Sequence, residues 1–101
     1  RLTMNIEKII ENEKVTLKLE GRLDTMTAPQ FEQVIDGMEE GCKELILDMN
    51  ALAYVSSAGL RVILKAQKYM NTKGTMKLIG VNENVMEVFE ITGFLDILTI
   101  E

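Results

Sequence analysis

The sequence predicts one α/β domain built on a mixed β-sheet. Two short alternating segments open the chain, and after them strand-like apolar runs alternate with segments of helical period. A chain of 101 residues is long enough for one modest core and too short for two ordinary domains. We therefore expect a single domain over residues 1–101, with the order β-β-α-β-α-β-α and right-handed crossovers. Met4 is a natural initiator, so residues 1–3 are either extraneous or part of a longer protein.

The first two strands are predicted to form an antiparallel hairpin. Residues 4–10 and 15–19 have strand character, and in the second segment Val15, Leu17 and Leu19 share one face. The polar stretch "ENEK" between them suits a short turn. Gly21 then breaks this alternating pattern.

The first helix is predicted within "TAPQFEQVIDGMEEG". Thr27 is the expected N-cap, Gln30 lies three residues on as in a capping box, and Pro29 falls in the first turn, where its missing N–H is harmless. One apolar stripe follows at helical spacing, formed by Phe31, Val34, Ile35 and Met38. Gly41 is expected to end this helix.

A buried strand and a long helix are predicted next. The strand "KELILDM" has an uninterrupted apolar run at 45–47, which indicates burial on both faces and a central place in the sheet. After two serines, a helix with one apolar face extends to about Lys73–Gly74. That face contains Leu60, Ile63, Leu64 and Met70, and the opposite face carries a basic stripe of Arg61, Lys65 and Lys68.

The last third of the chain continues the alternation. "TMKLIG" is predicted to be a short strand, and "NENVMEVFEITG" a third helix with Val85, Val88 and Phe89 facing inward. Gly93 is the expected stop of that helix. "LDILTI" then forms a last short strand or an extended tail.

The overall composition excludes several classes of partner. The net charge is −5 and the cations are dispersed, so no basic face is available for nucleic acid. The longest apolar runs fall far below the roughly 20 residues that cross a bilayer, so we expect a cytoplasmic protein without membrane contact. Cys42 is the only cysteine, which excludes an internal disulfide and a cysteine metal cluster.

The chain contains no histidine, which removes most catalytic arrangements. Neither a Ser-His-Asp nor a Cys-His mechanism is available, and lysines near Ser57 lie on a predicted exposed face, where they stay protonated. The glycine-rich loops of nucleotide-binding folds are also missing. We therefore expect no enzymatic activity, no catalytic residues, no metal and no cofactor.

The stretch "YVSSAGLRV" leaves two interpretations of its serines open. A serine before a helix is a frequent N-cap, worth about 1 kcal/mol. A helix start also stabilises an anion, so a serine there suits phosphorylation, which would add charge and end docking without disturbing the fold. The small residues Ala58 and Gly59 would let another molecule's backbone approach closely.

Three stretches together resemble a known family: "GRLDTMTAPQFE", "LILDMNALAYVSSAGLRVIL" and "VFEITGF". They are similar to the STAS domain of bacterial anti-sigma-factor antagonists, over essentially the whole chain. The resemblance implies a four- to five-stranded mixed sheet with three to four helices mainly on one side. It also implies a switch protein that binds an anti-sigma factor and so releases a sigma factor. In that family the anti-sigma factor is a serine kinase that phosphorylates the antagonist, and a metal-dependent phosphatase reverses this.

The resemblance assigns roles to single residues. Ser57 falls on the phosphoacceptor and Gly59 on the glycine of the family's Asp-Ser-Ser/Thr-Gly motif, while Ser56 replaces the aspartate and Ala58 the second Ser or Thr. Ser56 therefore adds a competing hydroxyl and is the second candidate acceptor. Asp24 matches the family's acidic residue in the loop before the first helix, or is a turn residue that bonds its own backbone.

The predicted partner-binding surface follows from these assignments. It contains Asp24, Thr25, Ser56, Ser57, Ala58, Gly59 and Arg61. Arg61 lies one helical turn after Ser57 and either pairs with a phosphate, meets an acidic partner or belongs to a solvated face. The alternative function is a regulatory or scaffold STAS domain of another signalling complex or a transporter, without phosphorylation.

Overall fold

A computed structural model, which describes residues 4–101, contains one four-stranded mixed sheet with the strand order β1-β2-β3-β4. The elements are β1 (Asn5–Glu11), β2 (Lys14–Leu23), α1 (Ala28–Asp36), β3 (Glu44–Val55), α2 (Ser57–Asn71), β4 (Thr75–Ile79), α3 (Glu83–Thr92) and a 3-10 turn (Phe94–Asp96). β1 and β2 form the antiparallel hairpin, and β2–β3 and β3–β4 pair in parallel. The predicted α/β fold and element order are confirmed, while residues 1–3, whose origin the sequence left open, lie outside the described part.

The hydrophobic core lies between one face of the sheet and the helices. Alternate strand residues point into it: Val15, Leu17, Leu19, Leu45, Leu47, Met49, Met76 and Leu78. Phe31, Ile63 and Phe89 of the three helices are fully buried against them. The molecule is only 19 Å thick, as two packed layers require, so the helices cover one side of the sheet as predicted.

The central position predicted for β3 is confirmed. Leu45 and Leu47 face the helices at 1% and 0% exposure, and Ile46, on the other face, is 7% exposed. β3 is longer than the sequence pattern suggested, since it continues without a break to Val55. Its second half stays paired with β2 up to the partners Leu23 and Val55.

The break in the strand pattern at Gly21 is confirmed as an irregularity of the pairing, but the strand extends beyond the predicted segment 15–19. β2 continues to Leu23, and the register against β3 shifts between Lys18 and Glu20 and again between Gly21 and Arg22. Gly21 has φ +112, a conformation that costs a residue without a side chain little. The glycine therefore sustains an irregular strand and does not terminate it.

The start of α1 forms as predicted, but its capping box does not. Thr27 stands at the N-cap position, yet its hydroxyl donates to the Arg22 carbonyl at 2.7 Å and accepts from the Asp24 amide at 2.9 Å. Gln30 instead holds the backbone of Met4, since its Nε2 donates to the Met4 carbonyl at 2.7 Å. Both side chains are used in long-range or loop contacts that local spacing cannot reveal.

The end of α1 also differs from the prediction. The helix stops at Asp36 with Gly37 as C-cap, four residues before Gly41. The Gly37 amide donates back to the Gln33 carbonyl at 3.1 Å, which closes the last turn. Met38 lies beyond the helix but remains buried at 7% exposure, so its predicted inward position is confirmed.

The later elements follow the sequence pattern closely. α2 ends at Asn71, β4 covers Thr75–Ile79, and Gly93 stops α3 with φ +80. The tail forms one isolated parallel bridge between Leu78 and Ile100 and no regular fifth strand. Neither predicted alternative holds for the whole of "LDILTI", because Leu95 and Asp96 lie in the 3-10 turn and only the end of the stretch runs beside β4.

Candidate functional site

The two serines at the start of α2 occupy different structural positions. Ser56 is the N-cap, half-buried, and its hydroxyl oxygen accepts from the Gly59 amide at 3.4 Å. Ser57 is the first helical residue and is exposed, and within residues 4–101 its hydroxyl makes no hydrogen bond. The capping role therefore belongs to Ser56, and the Ser57 hydroxyl is free for chemistry.

Leu23 fixes the position of this helix start. The Ser56 amide donates to the Leu23 carbonyl at 2.9 Å, which ties the end of β3 to the end of β2. A Cβ atom on Gly59 would lie 2.6 Å from Leu23 Cγ and 3.0 Å from the Leu23 carbonyl oxygen. Gly59 is buried, so the expectation that its small size serves a partner's backbone is corrected: it makes room for Leu23 of the same chain.

The loop between β2 and α1 is organised by Asp24. Its Oδ1 accepts from the amides of Met26 at 3.0 Å and Thr27 at 3.2 Å, and its Oδ2 lies 3.7 Å from Arg22 Nε. Desolvation raises the pKa of Asp24, but the hydrogen bonds from Thr27 and Met26 and the charge of Arg22 outweigh it and leave that pKa below its usual value. The carboxylate is therefore ionised at neutral pH and bonds its own turn, as one of the two sequence interpretations expects.

Arg22 and Tyr54 form a second contact, near the C-terminal ends of β2 and β3, that the sequence did not reveal. The two residues are neighbours across β2 and β3, and the guanidinium carbon lies 4.2 Å from the centre of the Tyr54 ring. This distance fits a cation–π contact. It places a cation beside Asp24, and the shifted register explains why simple alternation did not pair the two residues.

Four predicted site residues line one shallow groove of about 580 Å³. They are Thr25 from the loop before α1, and Ser57, Ala58 and Arg61 from α2. The other three predicted residues do not line it: Asp24 shapes the loop, Ser56 caps the helix, and Gly59 packs underneath. The predicted set thus divides into residues that line the groove and residues that position it.

The sequence prediction missed the remaining wall of the groove. Leu60, Leu64, Thr92 and Phe94 complete the lining. Leu60 and Leu64 were both expected in the core, and Leu60 is buried, but Leu64 is only half-buried. Thr92 and Phe94 belong to the stretch "VFEITGF", which contributes to the resemblance, but neither residue has a predicted role.

The basic stripe of α2 is confirmed as an exposed face, and part of it is neutralised. Lys65 lies 2.8 Å from both Asp36 and Glu32 of α1, and these hydrogen bonds raise its pKa. Arg61 and Lys68 are exposed and, within the described part of the chain, form no ion pair. Two free cations therefore lie along α2 in a chain of net charge −5.

A second concavity, of about 610 Å³, lies on the uncovered face of the sheet. Its lining includes Lys18, Glu20, Asp48 and Asn50, and none of the predicted site residues. Asn50 Nδ2 donates to Asp48 Oδ1 at 2.8 Å, so these groups bond each other. Residues 4–101 contain no group of three or more potential metal ligands, and no helix among them is long and apolar enough to span a membrane.

Comparisons with known proteins agree with this architecture. The STAS domain family model matches residues 5–101. The anti-sigma-B factor antagonist of Staphylococcus aureus is 27% identical over 99 residues, which cover 96% of this chain and 92% of that protein. An anti-sigma factor antagonist from Mycobacterium paratuberculosis has the same fold, with a TM-score of 0.87, 16% identity, and coverage of 96% and 84% of the two chains. The Bacillus cell fate determinant SpoIIAA in its phosphorylated form superimposes with a TM-score of 0.73 at 19% identity, over 97% and 90%.

Proposed function

Because this chain belongs to the STAS domain family, we propose that it is an anti-sigma-factor antagonist controlled by phosphorylation of Ser57. The unmodified domain binds an anti-sigma factor that is also a serine kinase, and a sigma factor is released. Phosphate on Ser57 ends the binding, and a serine phosphatase restores it. The names of the relatives support the partner class, and a partner of that class would be met in the cytoplasm.

One observation carries the choice of residue. Ser57 is exposed and its hydroxyl is unengaged within the described residues, whereas the hydroxyl of Ser56 caps the helix and is half-buried. A kinase must bring the acceptor oxygen to its nucleotide, and Ser57 offers that oxygen without loss of a structural bond. Ser57 is therefore favoured over Ser56 as acceptor.

The position of Ser57 in the groove supplies a physical basis for the switch. A phosphoryl group adds nearly two negative charges and three acceptor oxygens to a groove whose lining includes the apolar residues Ala58, Leu60 and Leu64 and a single cation, Arg61. A partner that covers these apolar groups would have to desolvate the phosphate, which opposes binding. The domain itself tolerates the group, because Ser57 points to solvent at the positive end of α2.

The proposed binding surface combines two segments. Thr25, Ser57, Ala58 and Arg61 line the groove and contact the partner directly. The proposed contribution of Asp24, Ser56 and Gly59 to binding is indirect, because they hold the loop and the helix start in place.

The test uses the anti-sigma-B factor of Staphylococcus aureus as kinase and binding partner. The domain is incubated with it and ATP, any phosphate is located by mass spectrometry, and binding is measured for wild type, Ser57→Ala and Ser57→Asp. We expect Ser57→Ala to bind without accepting phosphate, and Ser57→Asp to bind at least about tenfold more weakly, a loss of about 1.4 kcal/mol. Ser56→Ala is the matched control and should still be phosphorylated at Ser57.

Two results would contradict the proposal. Phosphate on Ser56 alone would move the acceptor by one residue. Absence of both phosphorylation and binding would favour a regulatory or scaffold STAS domain of another complex, in which the serines only shape the helix start.

A further inference from the structure

We infer that the partner-binding surface continues from the groove along α2 and over the end of α3, where it accepts an apolar segment of the anti-sigma factor that carries acidic side chains. This inference rests on the proposed function and adds the chemistry of the partner. It concerns residues outside the predicted site, chiefly Leu64, Lys68, Ile91 and Phe94.

The groove does not end at Arg61. A second hollow on α2 is formed by Arg61, Leu64, Lys65 and Lys68, and it shares Arg61 and Leu64 with the first. The two hollows are therefore parts of one surface that follows the exposed side of α2 away from Ser57.

Exposed apolar side chains are sequence neighbours of the residues that line this surface. Ile91 is 78% exposed and Leu95 is 39% exposed, and they are sequence neighbours of the groove residues Thr92 and Phe94. Met26, which follows the groove residue Thr25 in the sequence, is 62% exposed. Contiguous exposed apolar patches are typical of protein interaction sites, so we include these side chains in the inferred surface.

The charge pattern specifies the partner further. Lys65 forms ion pairs with Glu32 and Asp36. Arg61 and Lys68 are exposed and form no ion pair among the described residues. These two cations are seven residues apart, roughly 10 Å along a helix axis. A partner segment with carboxylates at a similar spacing, flanking apolar residues, would complement both features.

The experiment compares matched variants at and away from this surface. Ile91→Ser and Lys68→Glu change exposed residues on it, while Ile10→Ser and Lys18→Glu make the same changes on β1 and β2, where Ile10 is 52% exposed. Binding to the Staphylococcus aureus anti-sigma-B factor is measured by calorimetry at two salt concentrations, with circular dichroism as the check on folding.

We expect Ile91→Ser and Lys68→Glu each to weaken binding about fivefold or more, and the two controls to stay within about twofold of wild type. Lys68→Glu should also reduce the salt dependence of binding, because a cation that attracts the partner has been reversed.

The outcomes separate this inference from the proposed function. If Ser57→Asp loses binding while Ile91→Ser and Lys68→Glu bind like wild type, the surface does not extend and the inference fails alone. Tighter binding of Lys68→Glu would overturn the acidic character of the partner. If the unmodified wild type binds no anti-sigma factor, both proposals fall.

Discussion

Ser56 caps α2 and Ser57 does not, and this difference leads to a prediction about stability. Alanine at an N-cap usually costs about 0.5–2 kcal/mol. The bond from the Gly59 amide to the Ser56 hydroxyl measures 3.4 Å, which is long for a hydrogen bond, so we expect Ser56→Ala to lose about 0.5–1 kcal/mol, at the lower end. Ser57→Ala removes no hydrogen bond and introduces a better helix former, so its stability should stay within about 0.5 kcal/mol of wild type.

Urea unfolding followed by circular dichroism measures this difference. With an m-value of about 1 kcal/mol/M, the midpoint of Ser56→Ala should fall by about 0.5–1 M. Thermal melting should show a decrease of roughly 2–8 °C, against little change for Ser57→Ala. Asn82→Ala is the positive control, because Asn82 caps α3 with a 2.8 Å bond from the Val85 amide and also donates to the Leu52 carbonyl at 3.0 Å. Equal losses at Ser56 and Ser57 would refute the assignment of the cap.

Three further changes test the packing and the loop. Gly59→Ala forces Leu23 to move, and we expect a net loss of about 1 kcal/mol in urea unfolding after the gain in helix propensity; an unchanged midpoint would contradict the close packing. Gly74→Ala is more severe, because its Cβ would lie 1.9 Å from the Lys43 carbonyl oxygen, and a loss of about 3 kcal/mol or more should appear in thermal melting. Asp24 has a lowered pKa in the folded state, so its ionised form stabilises the fold above the unfolded pKa and this contribution disappears as pH falls through the folded pKa. Wild type should therefore be more stable than Asp24→Asn at pH 7 and lose that advantage in acid, which urea unfolding across pH 2–7 would reveal.

Most of the fold was predictable because its signals are local. Alternation in β2, the apolar run at 45–47 and the stop at Gly93 each depend on neighbours a few residues away. The failures have a different origin. Gln30 was expected to cap its own helix but bonds Met4, 26 residues earlier, and no spacing rule can anticipate such a partner.

The candidate site was predictable to a similar degree. Residue types and the resemblance pointed to Ser57, Thr25 and Arg61, which the fold brings to one groove. Leu64 and Phe94 were not recognised as groove residues, because their partial exposure depends on how the end of α3 lies beside α2. Helical periodicity gives the direction of a side chain and not what covers it.

Leu23 joins the two segments of the proposed binding surface. Its carbonyl accepts from the Ser56 amide, its side chain packs on Gly59, and Asp24 follows it directly. Because these contacts of Leu23 hold both segments in place, the proposed binding surface is ordered before a partner arrives, so little conformational entropy is lost on binding. If Ser57 is phosphorylated as proposed, these contacts of Leu23 could remain in place in both forms. The rate of the proposed switch would then depend on how fast phosphate is added to and removed from Ser57, and not on refolding of the helix start.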